Sequence, residues 1–233
     1  MTGRPRASQF PLPFDHRPSL QGEDFLVAAC NAEAVAWIDR WPDWPGTALV
    51  LVGARAAGKS HLASVFQART QGRAVTGSEL ASQPPAELAG DGGPLILDDA
   101  DAILGTPEAE RALFHLLNHL APGRGRLLMT ATVPPARWGV ALRDLSSRLN
   151  ALPVAGIGAP DDALMGALLV KLFADRQLQV NADVIPFMVT RMERSFAAAR
   201  ALVSEIDSRA LAERRAVTLA LVRDVMRQGD AAN

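Results

Sequence analysis

Over the first two thirds of the chain, short runs of consecutive apolar residues alternate with stretches whose apolar residues return every three or four positions. The short runs are "TALVLVG" (47–53), "RAVTG" (73–77), "GPLILDDAD" (93–101), "GRLLMTATV" (125–133) and "ALPVAGI" (151–157). Between them, "KSHLASVFQART" and "PEAERALFHLLNHLA" carry a helical period. Near-continuous apolar strands separated by helices predict a parallel sheet covered on both faces, a three-layered α/β architecture. An earlier helical stretch, "NAEAVAWIDRW", takes Asn31 as its N-cap, places Val35, Trp37 and Ile38 on one side, and stops at Pro42 and Pro45.

From Asp161 the strand signal vanishes. Helical patterns follow in "DDALMGALLVKLFADR", "NADVIPFMVTRM", "RSFAAARALVSEIDSRALAERR" and "TLALVRDVMRQ", with Asp161 and Asn181 as N-caps and Pro186 breaking the second helix early. The predicted organisation is an extended tail over residues 1–19, an α/β unit over 20–158 and a small helical subdomain over 159–233. The tail is too rich in proline and arginine to form a core. Within it, "SQFPLPF" alternates Phe10, Leu12 and Phe14 with Pro11 and Pro13, so it is neither helical nor able to pair inside a sheet.

Bulk numbers narrow the function classes. At 233 residues, 48% hydrophobic and a mean hydropathy of +0.08, the chain suits a globular fold with a sizeable core. A formal charge of −1 lacks the electrostatic footprint of a protein that neutralises many phosphates of nucleic acid. Cys30 is the single cysteine and the four histidines have no zinc-ligand spacing, so a reducing compartment, the cytoplasm, without a structural metal is expected. No run has the length of a membrane span.

The basic residues are arginines except for Lys59 and Lys171. Lys59 closes G-x-x-x-x-G-K-[ST] at Gly53, Gly58, Lys59 and Ser60, between an apolar strand and a helical stretch. The backbone amides of Gly53, Ala54, Arg55, Ala56, Ala57, Gly58, Lys59, Ser60 and His61 would cradle phosphates at a helix N-terminus. A compact ammonium suits that cradle better than a guanidinium fork, and the Ser60 hydroxyl would ligate Mg²⁺. Asp98 and Asp99 end the strand "LILDD", at the sheet edge where ligand crevices open. Asp98 would hold the metal and Asp99 orient the attacking water. A polar strand exit or helix cap is the plain alternative, and for Asp101 that alternative stays open.

In this order the motifs resemble the AAA+ P-loop ATPases, specifically the DnaA-type initiator branch. The resemblance rests on "GARAAGKSHL", the Walker B strand "LILDDAD", the helix "ALFHLLNHL" with Phe114 and Asn118, the strand and Pro-Pro turn "LLMTATVPPARW", "DLSSRL", "RMERSFAAARAL" and "DFLVAACNAEA". It implies ADP or ATP with Mg²⁺ as ligands and an adenine contact from the backbone of Phe25, Leu26 and Val27. It further implies a sensor 1 threonine, Thr130 or Thr132, an arginine finger at Arg148 with Arg143 as a weaker candidate, and a sensor 2 arginine at Arg194. An ordinary surface role stays open for Arg148 and Arg194. Initiators show Ser-Asp-Arg where this chain has Ala131, Thr132 and Val133, and their longer helical elements are replaced by the short, proline-bearing "TGSELASQPPAELAGDGG".

Such initiators continue into a helix-turn-helix reader after the lid, whereas this sequence ends near its lid, so no sequence-specific DNA binding of its own is expected. The tail resembles clamp-binding motifs, with Gln9 as polar anchor and Phe10, Leu12, Pro13 and Phe14 as the apolar part. Together these features resemble the Hda group of DnaA-homologous regulators. The resemblance implies the DNA sliding clamp and the DnaA initiator as partners, hydrolysis of initiator-bound ATP promoted in trans, and a homo-oligomer left open. Helicase loaders of the DnaC type, or an adaptor with a purely structural nucleotide site, are the alternatives.

Overall fold

The computed structural model describes residues 26–121, 123 and 125–231. Phe25 and the tail motif Gln9 to Phe14 lie outside the described residues.

The first helix, α1 (Ala32–Asp39), buries Ala34, Val35 and Ile38, as its spacing predicts. Asn31 does not cap it. The Asn31 side chain, 1% exposed, turns back to donate to the Leu26 carbonyl and to accept from the Ala28 N–H, both at 2.9 Å. The 26–28 stretch has no helix or strand to satisfy its backbone, so the buried amide serves that stretch in preference to the helix start. Beyond α1, Trp44 stacks on Phe66 at 5.3 Å and donates its indole N–H to the Trp37 carbonyl.

Five described strands form one sheet: β1 (Ala48–Gly53), β2 (Arg73–Ala74), β3 (Leu95–Leu97), β4 (Leu127–Ala131) and β5 (Val154–Ile157). Their order in space is β2-β3-β4-β1-β5, and every pairing is parallel. All of β3 and β4 is buried, as a sheet sandwiched between helices requires. Strand β2 is shorter than "RAVTG" suggests because Thr76 already caps the next helix, α3 (Gly77–Ser82). The Thr76 N–H donates to the Glu79 carboxylate at 2.8 Å and Glu79 N–H to the Thr76 hydroxyl at 3.2 Å. The Thr76 N–H and hydroxyl, both donating to that carboxylate, with Arg73 behind them, hold the Glu79 carboxyl below its ordinary range. Pro85 opens α4 (Pro85–Ala89) at a first-turn position, where a missing N–H costs nothing.

Alternating residues of the strands divide the core. Leu49, Leu51 and Leu128 pack against α1 and α2 (Lys59–Thr70), through Leu62 and Phe66. Val50, Leu97 and Met129 face the other way, onto α3, α4, α6 (Pro107–Leu120) and α7 (Arg143–Asn150). Between β3 and α6 lies the short α5 (Ala100–Ile103).

A third cluster belongs to the helical lid of α8 (Asp162–Asp175), α9 (Val184–Val189), α10 (Phe196–Glu213) and α11 (Leu219–Ala231). Asp161 caps α8 as expected, accepting the Leu164 N–H at 2.8 Å. Asn181 does not cap α9, which starts three residues later with Asp183 in the cap position. Pro186 does not break the helix: it is the third residue of α9, inside the first turn, whose N–H groups have no intrahelical acceptor. Among the described residues no helix is long and apolar enough to cross a membrane.

Candidate functional site

The carboxyl ends of β1, β3 and β4 lie side by side in the sheet, so the loops leaving them meet at one edge. At the end of β1 the backbone of β5 comes so close that a Cβ on Gly53 would lie 2.5 Å from the Ile157 carbonyl oxygen. The turn that follows places Ala56 at φ +58° and Gly58 at φ +99°, then enters α2 at Lys59. Lys59 is 5% exposed, and its ammonium donates to the Gly53 and Ala54 carbonyls at 3.0 Å each. Two of its three donor positions are thus used inside the loop, and the charge is held at the helix start.

Facing that turn is a cleft of about 440 Å³, lined by Arg55, Lys59 and Ser60 on one side and by Asp99, Asp101 and Thr132 on the other. Strand β3 stops at Leu97, so Asp98 and Asp99 sit in the turn after it and not in the strand. Asp99 takes the left-handed conformation, φ +51°, as the residue before α5. Thr130 of neighbouring β4 and Thr132, just past its end, tie this turn and the start of α5 down. The fully buried Thr130 hydroxyl accepts the Asp99 N–H at 2.9 Å and donates to the Asp98 carboxylate. Thr132 gives both its N–H, at 2.8 Å, and its hydroxyl to Asp101. Of the two sensor 1 candidates, Thr132 lines the cleft and Thr130 lies behind it. Asp101 is more than a strand exit or cap: it is a third carboxylate at this edge, and only its place in "DDAD" hinted at it.

The lid closes on the turn. The Phe196 N–H donates to the Ala56 carbonyl at 3.4 Å, and a Cβ on Gly58 would lie 3.4 Å from the Phe196 ring. Leu26 packs on the lid cluster and Val27 on the α1–α2 cluster, so the stretch held by Asn31 passes between the two units. Sequence spacing gave no sign of the roles of Asn31 and Phe196, because both depend on contacts between distant segments.

Arg194 precedes α10, whose cap is Ser195, and pairs at 2.8 Å with Asp162 on the lid itself. Both partners are more than half exposed, so this ion pair anchors little. His61 lies in the first turn of α2 and does not line the cleft. Arg148 is exposed on α7 and also does not line the cleft; its guanidinium sits 5.4 Å from the Phe114 ring, with no ion pair among the described residues.

The lid is the part with the most specific likeness: residues 162–226 match the family model of the Hda lid domain. The fold of the whole resembles domain III of the Thermotoga maritima replication initiation protein DnaA, with a TM-score of 0.76 at 16% identity over 93% of this chain and 98% of that one. The chain thus has the α/β AAA+ fold with a helical lid. AMPPCP-bound DnaA from Aquifex aeolicus shares this AAA+ fold at a TM-score of 0.67 and 14% identity, over 78% of this chain and 63% of that one. In sequence, the DnaA of Thermomicrobium roseum is 26% identical over 137 residues, 59% of this chain and 30% of its own length. An uncharacterized protein of Haemophilus influenzae is 28% identical over 131 residues, 56% of this chain and 57% of its own. The matched part is thus well under two thirds of these relatives.

Proposed function

We propose that the chain is a nucleotide-binding regulator of replication initiation, which docks on a DnaA-type initiator and promotes hydrolysis of the ATP that the initiator holds. The observation that carries this reading is the division of labour between two sites. One is a phosphate-type cleft on Lys59 and Ser60, whose turn is backed at Gly58 by Phe196 of a lid that matches the Hda lid model. The other is an exposed arginine, Arg148, held on α7 outside that cleft and free of a carboxylate among the described residues.

Adenosine diphosphate or triphosphate fits the first site. The turn presents the start of a helix and a buried ammonium, and the opposite wall presents acidic groups suited to a hard cation. Lys59 and the amides of residues 53–61 would hold phosphate, Leu26 and Val27 would flank the base beneath the lid, and Ser60 with Asp98 would hold Mg²⁺. When bound, nucleotide and metal supply charge that draws loop, carboxylates and lid together. Asp99 and Thr132 would orient water, and Arg194 would leave its weak partner Asp162 for phosphate.

At the second site, Arg148 would complete a neighbouring initiator's ATP site. A guanidinium supplied across such a boundary offsets charge on the transferring phosphoryl group and raises the rate by about three to five orders of magnitude. Gln9, Phe10, Leu12, Pro13 and Phe14 would hold the sliding clamp. A proline-stiffened segment loses less entropy on binding, and clamp capture would raise the local concentration of the AAA+ unit at the initiator.

The test is initiator ATP turnover in the presence of clamp-loaded DNA, comparing the wild type, Arg148→Ala and the double variant Gln9→Ala, Leu12→Ala. Stimulation is expected from the wild type alone. Full stimulation by Arg148→Ala removes the finger assignment, and full stimulation by the tail variant removes the clamp.

A further inference from the structure

Glu110, on α6, is 6% exposed, and no cation pairs with it among the described residues. Burying a lone carboxylate is costly unless its charge is met by hydrogen bonds. Here one oxygen accepts the Ala141 N–H at 3.0 Å and the other the Leu142 N–H at 2.8 Å. Those two amides lead into α7, which has Leu142 at its cap position and no side-chain cap of its own. The carboxylate therefore caps α7 from another helix at its N-cap amide, Leu142, with the preceding Ala141 amide as second donor, at a helix end where the dipole also favours a negative charge. One turn along the same stripe of α6, Phe114 lies under the Arg148 guanidinium at 5.4 Å. Eight residues are too few for α7 to hold its shape alone, and α6 grips it at both ends.

We propose that Glu110 is a positioning residue for Arg148: by capping α7 it sets the direction in which that guanidinium is offered to a partner. This rests on reading Arg148 as the group that completes the initiator's site. A neutral cap at position 142 would give the helix comparable stability; the bond from α6 fixes in addition the rotation of α7 against Phe114.

The experiment uses the full chain with clamp-loaded DNA and ATP-bound DnaA initiator. Glu110→Gln exchanges one acceptor oxygen for an amide donor at nearly constant volume, so one of the two N–H bonds is lost. The maximal stimulated rate should fall about tenfold or more, since small misplacement of a reacting group is costly, while the half-saturating regulator concentration stays within about twofold. In an Arg148→Ala background the same substitution should have no further effect. Amide hydrogen exchange along α7 should quicken in Glu110→Gln without any partner present, and Phe114→Leu should lower the maximal rate with the cap intact. An Arg148→Ala variant that stimulates fully removes the finger reading and this proposal together. If Arg148→Ala is inactive while Glu110→Gln keeps the wild-type rate, or α7 exchange is unchanged, only the positioning role is overturned.

Discussion

Phe196, the first residue of the long lid helix, packs its ring 3.4 Å from where a side chain on Gly58 would begin. The lid and the phosphate turn therefore share a wall, and Gly58, at φ +99°, meets one demand that a larger residue would not, a left-handed backbone, while the Phe196 ring rests against it at ordinary contact distance. Phe196→Ala should leave the fold intact, because the ring is a partly buried member of the lid cluster, yet weaken nucleotide affinity about tenfold by loosening the lid. Gly58→Ala should be worse, adding about 1–2 kcal/mol of backbone strain and losing nucleotide altogether. Calorimetry with adenosine diphosphate checks both, with Lys59→Ala as the variant expected to show no binding.

Asp101 and Thr132 make a second tie on the acidic side of the cleft, and the loss of its charge has a signed consequence. Asp101→Asn keeps an oxygen to accept from Thr132 but removes one negative charge from a cleft that also holds Asp99. A single charge at this half-exposed range is worth about 1 kcal/mol. With a chelator present, nucleotide should bind about fivefold tighter to Asp101→Asn than to the wild type. With Mg²⁺ the difference should shrink or reverse. Titration under both conditions decides it, and equal affinity with the chelator would show that Asp101 does not face the phosphates.

Cys30 offers a pH prediction. Burial, and secondarily the negative charge of Asp161, pushes its thiol pKa up. A raised folded-state value means the folded protein holds the proton more tightly than the unfolded chain. The stabilising contribution is complete below the ordinary thiol range and is lost as pH rises through the folded value. The denaturant midpoint of the wild type should therefore fall more steeply above about pH 8.5 than that of Cys30→Ala. Alkylation of the folded protein at neutral pH should be slower than that of a free thiol, and equal rates would contradict the shielding.

The α/β alternation, the phosphate turn and the four-helix lid were legible because each depends on local spacing. Apolar runs had to be strands of a covered sheet, and a glycine turn with a lysine between strand and helix had to lie at its edge. Misreadings arose where a polar residue had a choice of partners. Asn31 and Asn181 fit the pattern of helix caps, but one is spent on the 26–28 backbone and the other lies three residues ahead of its helix. Asp101 likewise takes its partner from a distant segment, Thr132 just past β4, which no local pattern names.

Chain order alone thus determined that this protein is a layered nucleotide-type fold with a helical cover, since those features follow from periodicity and turn chemistry within a few residues. Only tertiary structure decided which carboxylate meets which threonine, where Phe196 rests, and that Glu110 caps a helix thirty-odd positions away. Such pairings come from packing segments that are distant in sequence, and no local pattern records which distant backbone a buried side chain will serve.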